Sequence, residues 1–69
     1  MKDLNKAFAE NVFRVCDEKG IKITALAKEH RMTRNQVYGA YNGESSPSLK
    51  SVQRWADALG VPAMELLKE

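Results

Sequence analysis

The chain has 69 residues, a net charge of +2, 43% hydrophobic residues and 29% charged residues. That is ordinary for a folded soluble protein, and 1–69 reads as one small domain burying about 60% of its unfolded surface. No apolar run approaches the roughly 20 residues needed to span a bilayer, the start MKDLNKAF has no apolar signal core, and one Cys with one His gives neither an internal disulfide nor a zinc set. A cytoplasmic protein without metal or cofactor is expected.

The first predicted helix runs from Asp3, an N-cap residue type, to Lys19, with Gly20 as its C-terminal glycine. Its apolar stripe is Leu4, Ala7, Phe8, Val12, Val15 and Cys16. A second helix is predicted from Ile23 to His30, and a third from Arg34 to Tyr41, closed by Asn42-Gly43. Met32 falls in the turn between them, and Thr33 is placed to cap the third helix. Glu44 to Pro47 reads as a loop. A fourth helix is capped by Ser48, or by Ser46 with Pro47 at its first position. Its stripe is Leu49, Val52, Trp55, Ala56 and Leu59, and Gly60 stops it. Val61-Pro62 opens a short fifth helix with Met64, Leu66 and Leu67. The predicted fold is all-α, five helices, with no strands and no repeats.

The stretch ITALAKEHRMTRNQVYGAYN, residues 23–42, carries most of the functional information. Leu26 and small Ala27 let another helix cross closely, while Val37, Ala40 and Tyr41 recur at i, i+3, i+4 and share one helical face. The opposite face presents Arg34, Asn35, Tyr38 and Asn42, all able to hydrogen-bond. One face buried and the other polar is what a helix-turn-helix offers to the DNA major groove. Charge agrees: from Lys19 to Arg54, seven cations (Lys19, Lys22, Lys28, Arg31, Arg34, Lys50, Arg54) outnumber Glu29 and Glu44 by five. Positive charge so gathered suits phosphate binding.

These residues resemble the phage lambda repressor/Cro-type helix-turn-helix family, also called the XRE family. The similarity runs from Phe8-Ala9-Glu10-Asn11-Val12 to Met64-Glu65-Leu66-Leu67. It is strongest at Leu26-Ala27, Asn42-Gly43, Pro47 to Val52 and Trp55 to Val61. It implies a five-helix lambda-repressor-like domain with its helix-turn-helix at helices 2 and 3. It also implies a transcriptional regulator that binds double-stranded DNA, generally as a dimer on a two-fold-related operator. Three positions depart from the family pattern. Ile23 stands where the family commonly has Gln, and Arg31 replaces the usual turn glycine, which requires a left-handed or otherwise costly conformation there. Cys16 and Tyr41 stand where a buried Arg–Glu pair is often found, so a Cys–aromatic contact in the interior is expected instead.

Within that frame Arg34 and Asn35 are expected at base edges, because Arg matches the paired acceptors of guanine and Asn matches adenine. Tyr38 is expected in the groove, at a base edge or against a sugar or thymine methyl. Gly39 allows close approach either to the duplex or to the protein's own interior. Asn42 caps the third helix and can touch phosphate. Ser45, Ser46, Ser48 and Lys50 surround a helix start, where free N–H groups favour an anion. Lys22, Lys28 and Arg54 are expected beside the DNA backbone. Cys16 and His30 read as packing residues, and no residue set supports catalysis.

A fifth helix too short to bury Met64, Leu66 and Leu67 together points to a dimer contact at Met64 and Leu67, weak without DNA. Phe13 either joins that partner surface or the Cys16–Tyr41 cluster. The expected function is a Cro-like or immunity-type repressor of a phage or mobile element. Two alternatives stay open: an antitoxin-like protein that binds a protein partner and autoregulates, and the N-terminal DNA-binding domain of a larger repressor.

Overall fold

Helix boundaries in the computed structural model, which describes residues 3–68, follow local capping chemistry. Five helices occur in the described chain: α1 (Leu4–Lys19), α2 (Ile23–Glu29), α3 (Asn35–Asn42), α4 (Leu49–Leu59) and α5 (Ala63–Leu67). The Asp3 carboxylate accepts from the Asn5 amide at 2.9 Å and starts α1. Ser48 Oγ accepts from the Ser51 amide at 3.1 Å and starts α4, which resolves the choice between Ser46 and Ser48. Each bond satisfies one of the donors left free at a helix start. Gly20, Gly43 and Gly60 end α1, α3 and α4 with positive φ, the conformation that glycine adopts without steric cost.

The core is one cluster. Phe8, Val12, Val15 and Cys16 of α1 meet Leu26, Ala27, Met32, Val37 and Ala40 from the central segment, and Val52, Trp55, Ala56, Leu59 and Leu66 from the C-terminal half. Helix α1 packs on α3, α4 and α5, and α4 packs on α5. Phe8 and Trp55 are fully buried; a phenylalanine side chain so placed contributes about 2–3 kcal/mol from burial. Asn11 is polar and buried. Its side-chain amide donates to the carbonyls of Leu66 at 3.0 Å and Lys68 at 2.7 Å. Those carbonyls lie at the end of α5, where no further turn supplies donors, so α1 closes α5 from across the core.

The turn between α2 and α3 is built on Arg31, whose φ is 56°. The left-handed conformation costs a residue with a Cβ roughly 1–2 kcal/mol. Hydrogen bonds hold it there: Arg31 N to Lys28 O at 3.3 Å and Met32 N to Ala27 O at 2.7 Å. Met32 is buried directly after it, so the turn drives an apolar anchor between the two helices.

Several expectations change. Leu4 (59% exposed), Leu49 (82%) and Tyr41 (43%) lie outside the core. Periodicity fixes the angle of a side chain around its helix, not whether another element lies opposite, and Leu4 and Leu49 sit in first turns. Tyr41 is therefore not an interior partner of Cys16; its ring packs edge-on to Phe13, centroids 5.8 Å apart. Cys16 is buried without it, and burial pushes its thiol pKa up. Thr33 does not cap α3: the cap position is Arg34, in helical conformation, with no side-chain cap bond. Asn42 is the last residue of α3 and Gly43 takes the cap. His30 is exposed rather than packed. No helix among the described residues is long and apolar enough to cross a membrane.

Candidate nucleic-acid interface

Helix α3 shows two faces. Val37 and Ala40 are fully buried beneath it, while Arg34, Asn35, Tyr38 and Asn42 are exposed. The start of α3 and the flank of α2 enclose an open hollow of about 390 Å³, lined by Thr24, Ala27, Lys28, Met32, Thr33, Arg34 and Asn35. The expected base contacts Arg34 and Asn35 thus share a recess with the expected backbone contact Lys28. Thr24 and Thr33 join them there. The sequence does not single out Thr24, because an exposed threonine carries no periodic signal, and Thr33 is expected there only as a helix cap.

Three attachments orient α3. Trp55 is fully buried in α4, and its indole N–H donates to Gln36 Oε1 at 2.9 Å. A buried Trp nitrogen requires an acceptor, which is the signal in the sequence that a polar partner must exist, though not which one. Phe13 of α1 is half-buried against two α3 rings, 5.4 Å from Tyr38 and 5.8 Å from Tyr41 by centroid. Phe13 therefore has partners within its own chain. Lys6 Nζ lies 5.2 Å from the centre of the Tyr41 ring, a cation–π distance that brings a further positive charge to the edge of α3. The third attachment is the loop after α3, whose Glu44 and Ser45 amides both donate to the Gly39 carbonyl, at 2.9 and 3.3 Å.

The expected backbone contacts divide by what already engages them. Lys22, Lys28 and Lys50 are exposed. Arg54 donates from one guanidinium nitrogen to His30 O at 3.3 Å and is 3.5 Å from Arg31 O, closing the end of α2 with positive charge, where the helix dipole favours it. Ser46 Oγ accepts from the Asn5 side chain at 2.9 Å, joining the loop to α1. Ser48 Oγ caps α4 and donates to Ser51 Oγ at 3.1 Å. Asn42 and Ser45 are exposed. The other expected surface is set apart from these: Met64 is 80% exposed on α5, whereas Leu67 is half-buried against the core. Beside them Glu65 pairs with Lys68 at 2.7 Å and Arg14 at 3.5 Å. The Lys68 hydrogen bond, with both positive charges, holds the Glu65 pKa below the usual carboxylate value.

A family model described as Helix-turn-helix matches residues 13–66. The chain belongs to that helix-turn-helix family, of the XRE or lambda repressor/Cro type. It is accordingly a DNA-binding transcription regulator in class. No curated protein and no solved structure matches the chain.

Proposed function

We propose that the protein is a sequence-specific repressor of the Cro or immunity-repressor kind, from a phage or other mobile element. The observation that carries this reading is the outward face of α3, where Arg34, Asn35 and Tyr38 are exposed beside a recess also lined by Lys28. In this reading α3 enters the major groove. Arg34 takes the N7 and O6 acceptors of a guanine, Asn35 pairs with an adenine edge, and Tyr38 rests on a base edge, sugar or thymine methyl. Lys22, Lys28, Asn42, Ser45, Ser46, Ser48, Lys50 and Arg54 lie along the phosphates, which fix register without reading sequence. The committed hydroxyls of Ser46 and Ser48 serve mainly to shape the loop and α4.

Two copies act together on a two-fold-related operator, with half-sites about one helical turn apart. Met64 and Leu67 form the subunit contact, too small to hold a dimer tightly without DNA. Phe13, packed on Tyr38 and Tyr41, is assigned to the α3 attachment instead. The bound pair excludes polymerase from promoter DNA, in the cytoplasm of a bacterial cell or phage-infected host.

Selection of duplexes from a random pool tests the reading. A recovered site with internal two-fold symmetry, bound less tightly as salt rises, is the expected result. A site without symmetry removes the dimer, and binding indifferent to salt removes the DNA-binding surface. Sedimentation of Leu67→Asp reports on the subunit contact: a tight dimer unaffected by that change places the interface elsewhere.

A further inference from the structure

Gly39 lies in the middle of α3, where alanine is favoured by about 1 kcal/mol. Its φ is not positive, so no backbone requirement calls for glycine. The steric surroundings do not demand glycine either, but a side chain there would displace one neighbouring atom. A Cβ built on Gly39 would stand 2.4 Å from Ser45 Oγ but 3.5 Å from Ser45 Cβ. The first distance is an overlap; the second is ordinary contact. The missing methyl group is thus filled by one atom, the Ser45 hydroxyl oxygen.

That hydroxyl differs from its neighbours in the loop. Ser46 Oγ accepts from Asn5, and Ser48 Oγ is committed to Ser51. Ser45 makes no side-chain hydrogen bond to any described residue, yet its amide is tied to the Gly39 carbonyl at 3.3 Å. The exposed Ser45 hydroxyl occupies a socket, the space that a Cβ on Gly39 would take, with its donor still to spend.

The geometry points to Gly39 as a positioning residue that aims the Ser45 hydroxyl at a DNA phosphate beside α3; this rests on the DNA-binding reading above. Gly39 reads no base. A methyl group there leaves the loop seated, since both amide bonds to its carbonyl remain, but forces Ser45 Oγ to rotate about its single bond. Removing the hydroxyl removes the overlap.

The test is a double-mutant cycle with Gly39→Ala, Ser45→Ala and the pair, titrated against the selected duplex and a panel of its single-base variants. Each single change is expected to weaken every duplex about equally, on the order of tenfold for a lost hydrogen bond to a charged group. The double variant loses no more than either single one. Additive losses, or a Gly39→Ala effect confined to one base position, would mean that Gly39 admits the duplex itself and would overturn the proposal. Wild-type binding by Gly39→Ala would overturn it equally. A second arm needs no DNA: the Hα–Hβ couplings of Ser45 report its rotamer. A change of rotamer in Gly39→Ala supports the socket, and an unchanged rotamer refutes it. If the wild-type protein binds no duplex, the functional reading fails, while the couplings still decide whether the socket exists.

Discussion

Helices α3, of 8 residues, and α4, of 11, both end on a left-handed glycine but are otherwise held differently. Helix α4 has a side-chain cap at its start and Val52, Trp55, Ala56 and Leu59 buried along one face. Helix α3 has no side-chain cap at its start, a glycine in its middle, and only Val37 and Ala40 buried. Isolated helices of such length are marginal in water, so α3 depends on what grips it: the Trp55–Gln36 bond, the Phe13 ring and the loop at Gly39. The lesson is physical. A helix that leaves a whole face free for a partner forgoes the burial that would hold it, and neighbouring elements must supply orientation instead.

The largest test of this dependence is Trp55→Ala, which removes a fully buried ring and also strips Gln36 of its donor. Such truncations cost about 3–5 kcal/mol, much of the stability a small domain has. Urea titration followed by circular dichroism should show the protein largely unfolded. A loss under 2 kcal/mol, on the order of one buried hydrogen bond, would show that α3 is held without it.

The same comparison predicts different binding behaviour at the two helices. Arg34→Ala should cost about 1–3 kcal/mol on the selected site and relax preference at one base position. Lys50→Ala, at the start of α4, should weaken all duplexes almost equally and lower the salt slope by about one unit. A uniform loss across single-base variants with Arg34→Ala would reassign Arg34 to the backbone.

Capping gives a smaller contrast. Ser48→Ala should destabilise by about 1 kcal/mol because it removes the bond to the Ser51 amide. Thr33→Ala should stay within about 0.5 kcal/mol, since no cap bond is made there. Equal losses in chemical denaturation would show that α3 has a cap after all. At the turn, Arg31→Gly should relieve the left-handed backbone and stabilise by up to about 1 kcal/mol, the gain being reduced by the larger freedom of the unfolded glycine. A destabilised Arg31→Gly protein would place a stabilising contact on the Arg31 side chain.

The smallest effect concerns pH. Burial raises the Cys16 thiol pKa, so the unfolded chain ionises first as pH rises. Stability should therefore fall as pH climbs through the ordinary thiol range, and Cys16→Ser should lack that component of the pH profile. A profile shared by both proteins in alkaline solution would show that Cys16 contributes nothing to it.

Sequence alone determined the order of the five helices, because capping residues and apolar spacing act over a few neighbouring residues. Asp3, Gly20 and Gly60 mark ends by chemistry that needs no distant partner, while the choice of Ser48 over Ser46 at the start of α4 came from the structure. The strained turn at Arg31 was legible only through the family resemblance, which puts a glycine at that position, whereas the polar face of α3 followed from its own spacing. Only the tertiary structure decided which apolar stripe residues are covered: Leu4 and Leu49 keep the right spacing yet stand in solvent, for want of an element opposite, and Tyr41 lies outside the core against Phe13. It also decided that Phe13 packs on Tyr38 and Tyr41, that Gln36 receives the Trp55 N–H, and that Gly39 makes room for Ser45. Three of these four pairs join separate helices, and the fourth joins a helix to a loop folding back on it. Periodicity within one segment holds no information about either the distance or the direction of such an encounter, which arises only when the helices pack.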